Sequence, residues 1–115
     1  MGDLSEHFSR HEFACKDGCG YDTVDTELLE YLETIRNHFD KPVTINSCCR
    51  CIRHNTAIGG AATSQHLYGR ACDIVVEGVD ALLVQELAAQ MGVKGLGHYT
   101  NFTHIDSRSG PLARW

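Results

Sequence analysis

The sequence predicts an α+β domain. Three observations lead there: two amphipathic helical stretches far apart in the chain, several short runs of alternating apolar and polar residues, and no βαβ rhythm to arrange those runs in a parallel sheet. At 115 residues the chain is near the commonest domain size and can enclose one core, so residues 1–115 are read as a single domain. No repeat, low-complexity tract or proline-rich linker divides it.

The elements follow in order. Asp25 to Phe39 carries Leu28, Leu32, Ile35 and Phe39 at helical spacing, with Asp25 as N-cap and Lys41-Pro42 as the stop. Val43 and Ile45 alternate with Thr44 and Asn46, a short strand running towards Arg50. Ile52 to Ile58 reads as a short helix ended by Gly59-Gly60, and a loop through Ala61, Ala62 and Thr63 delivers Ser64 and His66. Ala71 to Val76 reads as a strand closed by a Glu77-Gly78 turn. Asp80 caps a second helix through Met91, with Leu83, Leu87 and Met91 expected on the core face and Gly92 just past its end. Val93–Tyr99 and Phe102–Asp106 read as a hairpin around Thr100-Asn101, which sets Tyr99 opposite Phe102 and turns His98 away from His104.

Composition narrows the function. A hydrophobic content of 43% is ordinary for a globular protein, and no apolar run approaches the ~20 residues that span a bilayer. The first residues lack the basic and apolar regions of a secretory signal. Met1-Gly2 is not a myristoylation signal, because Glu6 stands where Ser or Thr is needed. A net charge of −5 argues against general nucleic-acid binding.

The chemistry is concentrated in two segments. Ser64-Gln65-His66-Leu67-Tyr68-Gly69-Arg70-Ala71-Cys72-Asp73 is answered by Phe102-Thr103-His104-Ile105-Asp106. Fully extended, His66 and Asp73 would stand roughly 23 Å apart, so sharing one ion requires the chain to double back, most easily at Gly69. On a strand, His104 and Asp106 share a face about 6.6 Å apart. Two imidazoles and a carboxylate match the three protein ligands of a catalytic zinc site, with a second carboxylate in reserve. His66, Asp73 and His104 are the expected ligands. Asp106 is the expected general base; two other assignments stay open, Asp106 as support for His104, or Asp106 as ligand with His104 as base.

These residues resemble the zinc D-Ala-D-Ala carboxypeptidase and murein endopeptidase family, whose members read Ser-x-His-x-x-Gly-x-Ala-x-Asp and later His-x-Asp or His-x-His. Leu4 to Cys15, Lys41 to Ile45 leading to Arg50, His54-Asn55, Gly59-Gly60, Gly95-Leu96-Gly97, Tyr99, Phe102 and Trp115 extend the likeness over nearly the whole chain. It departs at Cys48-Cys49, where relatives commonly have Gly-Tyr, and at Asn101, where some carry a glutamate.

The resemblance implies a small antiparallel sheet with flanking helices, the hedgehog/DD-peptidase arrangement. It also implies a Zn2+ cofactor and a peptidoglycan peptide substrate cut at a D-amino-acid bond. Arg50 is implied as donor to the developing oxyanion and Ser64 as a substrate contact, with Tyr99 a further candidate contact. The expected protein is a monomer without nucleic-acid or membrane partners, made in the cytoplasm and acting on the cell wall after release, as phage lysins do, or by an unseen export route. A zinc-binding module without catalysis on the same fold is the alternative.

Six cysteines are many for a chain without a secretion signal. Cys72 must face away from Asp73, as a small core residue. The resemblance further implies that Cys15 or Cys19 lies beside Cys51, where a disulfide, a second zinc or free thiols would each fit. His7, His11 and His38 are expected to be solvated, and His54 to be a structural hydrogen-bonder.

Overall fold

The computed structural model describes residues 4–16, 18, 22, 24–48, 50–60 and 64–115, with 52–54 described by their backbone alone. The expectations for Cys19, Cys49, the His54 side chain and the 61–63 loop lie outside these residues. Within them stand α1 (Thr26–Phe39), α2 (Ile52–Ala57) and α3 (Ala81–Met91), and the strands β1 (Val43–Ser47), β2 (Ala71–Val76), β3 (Gly95–His98), β4 (Thr103–Asp106) and β5 (Ala113–Arg114). A 3-10 turn at Arg10–Phe13 precedes α1, and another at Gln65–Tyr68 precedes β2.

The strands form one sheet in the order β1-β2-β4-β3-β5. Every pairing is antiparallel except β3 with β5, which is parallel. The fold is therefore the α+β arrangement the sequence predicts, on a largely antiparallel sheet. β5 was not foreseen: a two-residue strand carries no periodic signal.

Alternation assigns the two faces of the sheet. Cys72, Ile74 and Val76 of β2, Ile105 of β4 and Leu96 of β3 turn inward and join Leu28, Leu32 and Ile35 of α1 and Val84 and Ala88 of α3 in the core. Asp73, His104 and Asp106 take the other face. Asp73 lies directly across from His104, and His104 in turn from Gly97. Cys72 is fully buried on the core side, as alternation requires.

Three local readings need correction. Asp25 is the N-cap of α1, yet its carboxylate makes no capping bond; it accepts a 2.6 Å hydrogen bond from the Ser107 hydroxyl instead. α3 is rotated from its expected orientation: Val84, Gln85 and Ala88 are buried, while Leu83 is half exposed and Leu87 and Met91 only flank the core. The small Val84 and Ala88 let the helix approach the sheet closely, which a face of leucines would not. His7 is paired rather than solvated, its Nδ1 lying 2.6 Å from Glu33 Oε1. No helix among the described residues is long and apolar enough to cross a membrane.

Candidate metal centre

The reversal between His66 and Asp73 occurs at Gly69, whose positive φ of 66° ends the 3-10 turn. The Ser64 hydroxyl starts that turn by accepting a hydrogen bond from the His66 amide at 3.2 Å. β2 then carries Asp73 back beneath the turn, and its register with β4 adds His104. One donor atom from each of His66, Asp73 and His104 lies within 4.8 Å of the others. His66 Nε2 is 3.3 Å and His104 Nδ1 is 3.0 Å from the same Asp73 oxygen, Oδ1.

The opposite nitrogen of each ring is already engaged. His66 Nδ1 lies 2.7 Å from the Cys48 carbonyl oxygen, which can only accept, so Nδ1 carries the proton and Nε2 presents a lone pair. His104 Nε2 lies 2.8 Å from Asp106 Oδ2, which leaves Nδ1 facing Asp73. Ligands about 2.0–2.1 Å from a tetrahedral zinc stand roughly 3.3 Å from one another. The two spacings from Asp73 Oδ1 and the presented lone pairs fit such an ion.

Electrostatics follow from these contacts. Burial alone would raise the Asp73 carboxyl, but the His104 and His66 imidazoles beside it, when protonated, hold it well below the usual carboxylate range. Burial likewise opposes ionisation of Asp106, and is outweighed by the Arg108 fork and by His104. Burial would lower His104, yet Asp106 and Asp73 raise it.

Asp106 lies behind His104 rather than on the cavity wall. It is 0% exposed, and both its oxygens are taken: Oδ1 accepts from Arg108 Nε at 2.8 Å, and Oδ2 meets Arg108 Nη2 at 2.6 Å as well as His104. Gly95, its partner across β3, makes room, because a Cβ there would overlap the carboxylate.

The donors open onto a cavity of about 510 Å³ whose wall also includes Arg50, Ser64, Tyr99, Arg108 and Trp115. Arg50 arrives on the segment after β1, where a bulge between Ile45 and Ser47 bends the strand. Its guanidinium donates to Ser47 Oγ, Asn55 Oδ1 and Asp73 Oδ2 at 3.2–3.4 Å. Tyr99 stacks on Phe102 with ring centres 4.3 Å apart and accepts a hydrogen bond from Trp115 Nε1 at 2.9 Å. His98, as expected, turns away and lies 2.7 Å from the Trp115 carbonyl.

All seven residues singled out from the sequence therefore converge here, six on the cavity wall and Asp106 behind it. Three contributors were missed. Arg108 grips Asp106, Trp115 packs 4.8 Å from the His104 ring, and Gln85 donates from α3 to the Tyr99 and Phe102 carbonyls at 2.9 and 3.4 Å. The single available signal was a polar glutamine next to an apolar helix position.

Residues 6–106 match the Peptidase M15 family. The chain belongs to that family. It is 35% identical over 102 residues to the peptidoglycan L,D-endopeptidase MepK of Escherichia coli strain K12, a match covering 81% of this chain and 55% of the relative. It is 30% identical over 76 residues to the zinc D-Ala-D-Ala carboxypeptidase of Streptomyces albus G, covering 62% of this chain and 30% of that protein. The probable MepK endopeptidase of Haemophilus influenzae is 33% identical over 66 residues, covering 56% and 34%. The chain thus spans about half the length of the Escherichia coli relative or less of the others.

Proposed function

We propose that this chain is a zinc-dependent peptidase that hydrolyses a D-amino-acid-containing peptide bond in peptidoglycan stem peptides. The observation that carries this reading is the convergence of His66 Nε2, Asp73 Oδ1 and His104 Nδ1, with the far nitrogen of each imidazole already hydrogen-bonded. Membership of the M15 family and the names of its relatives support the substrate class.

His66, Asp73 and His104 would hold the zinc. When bound, it supplies a Lewis acid that polarises a carbonyl and lowers the pKa of a water molecule. The protein's own groups do the rest. Arg50 has five N–H donors, three of which point at protein acceptors, so N–H groups remain for a carbonyl oxygen gaining negative charge. Tyr99 accepts from Trp115 and keeps its own proton to donate to a substrate backbone, while Ser64 lines the same cavity. Asp106 holds the proton on His104 Nε2 and, closed in by Arg108, fits this supporting role better than that of a base, which needs an open lone pair within reach of water. A monomer acting on the cell wall after leaving the cytoplasm is the matching setting.

One observation favours the non-catalytic zinc module. Among the described residues, Asp73 is the sole carboxylate on the cavity wall, and it is already a candidate ligand. Digestion of purified peptidoglycan with and without a chelator, with products identified by mass spectrometry, separates the two readings. The peptidase gives chelator-sensitive release of stem-peptide fragments. A zinc-loaded protein inert on every wall fraction is the module.

A further inference from the structure

The segment from Cys48 to Cys51 holds two parts of the site at once. The Cys48 carbonyl fixes the His66 tautomer, the Arg50 amide donates to the His66 carbonyl at 3.0 Å, and the Arg50 side chain reaches Asp73. This strap leaves β1 at Ser47 and leads into α2 at Ile52. At its far end, Cys51 Sγ lies 3.8 Å from Cys15 Sγ, and the Cys51 amide donates to the Cys15 sulfur at 3.4 Å. Cys15 closely follows the 3-10 turn whose Phe13 is fully buried, so its side of the pair is moored to the core.

We infer that Cys15 and Cys51 are a cross-linking site, and that their disulfide fastens the Arg50 strap to the N-terminal segment. Disulfide sulfurs stand about 2.05 Å apart, so the pair must close by roughly 1.8 Å, within reach of small side-chain rotations. Exposure sets the order of events. Cys51 is half-buried and can meet an oxidant, whereas Cys15 is buried beside it. With a low-molecular-weight disulfide such as glutathione disulfide, the Cys51 sulfur attacks one oxidant sulfur and releases the first thiol. The Cys15 sulfur then attacks Cys51 and releases the second. Two protein thiols are oxidised, one small disulfide is reduced, and the two thiol protons leave on the two small thiols. Cys48 and Cys72 are sealed in the core and cannot compete.

A protein that works at the cell wall meets such oxidants where a cytosolic one does not. That compartment argument rests on the proposed function; the proximity of the sulfurs does not.

The test uses the full chain, reduced or treated with glutathione disulfide, followed by non-reducing peptide mapping and thermal unfolding. The expected result is one intramolecular cross-link joining Cys15 to Cys51, with Tm raised by roughly 10 °C for a loop of this length. Cys15→Ser and Cys51→Ser should each abolish the gain, and Cys72→Ser should keep it. If Cys51→Ser does not fold, the map of the unaltered chain alone decides. A cross-link to Cys19 or Cys49, or both thiols still open to alkylation after oxidation, overturns the inference. Neither readout involves peptidoglycan, so its failure is distinct from failure of the peptidase reading.

Discussion

The two imidazoles of the site are held by opposite means. His66 sits on a 3-10 turn and is oriented by an uncharged backbone carbonyl from the Cys48 strap. His104 sits mid-sheet and is oriented by a carboxylate, itself gripped by an arginine. A carbonyl acceptor depends on where the main chain runs and cannot be deleted by changing a side chain. A carboxylate acceptor adds charge, strengthens the bond and makes the ring a better donor to a cation. The turn side is thus fixed by backbone path, the strand side by electrostatics.

The largest expected effect comes from removing either ring. His66→Ala and His104→Ala should each reduce zinc affinity by more than the roughly 100-fold that loss of a supporting partner costs, with peptidoglycan digestion abolished. Metal analysis after dialysis measures it. Asp106→Asn sharpens the contrast, since it removes charge and keeps shape. Zinc affinity in a chelator competition should fall about 10- to 100-fold. Unchanged affinity with activity lost would instead restore Asp106 as the base.

Gln85→Leu acts further out, on the loop that holds Tyr99 and Phe102. It should lower kcat/KM roughly fivefold, with zinc affinity untouched.

The smallest effect is remote from both rings. Burial alone would raise the Glu33 carboxyl, but hydrogen bonds from Ser5 and His7 bring it below its ordinary value. A carboxyl depressed by folding stabilises the protein above its ordinary range, and that contribution is lost as pH falls through the folded value. Glu33→Gln should therefore lower Tm by about 3–5 °C near neutrality and flatten the acid limb of a Tm–pH profile.

Much of this architecture was legible in advance, for identifiable reasons. The β2 boundaries follow from its β-branched run and the Glu77-Gly78 turn, and the opposed faces of Cys72 and Asp73 from the two-residue period of a strand. His66, Asp73 and His104 were legible because sharing an ion demands convergence and Gly69 is where the chain reverses most easily. What escaped depended on distant partners. Asp25 reads as a cap until Ser107, 82 residues away, takes its carboxylate. The α3 leucines read as core until the sheet selects a narrower face. Arg108 lies only two residues from Asp106, yet nothing local says that it folds back upon it.

Gly95 and Gly97 alternate on the strand beside β4, on the same face as the ligands. A methyl at Gly97 would meet the Trp115 indole at Nε1, 2.7 Å away, the edge that donates to the Tyr99 hydroxyl. The same methyl at Gly95 would strike a carboxylate clamped from two sides. Two adjacent hollows in one floor thus offer an engineer unlike handles: alanine at Gly95 unseats the carboxylate behind His104, while alanine at Gly97 reshapes the Trp115 and Tyr99 wall of the cavity.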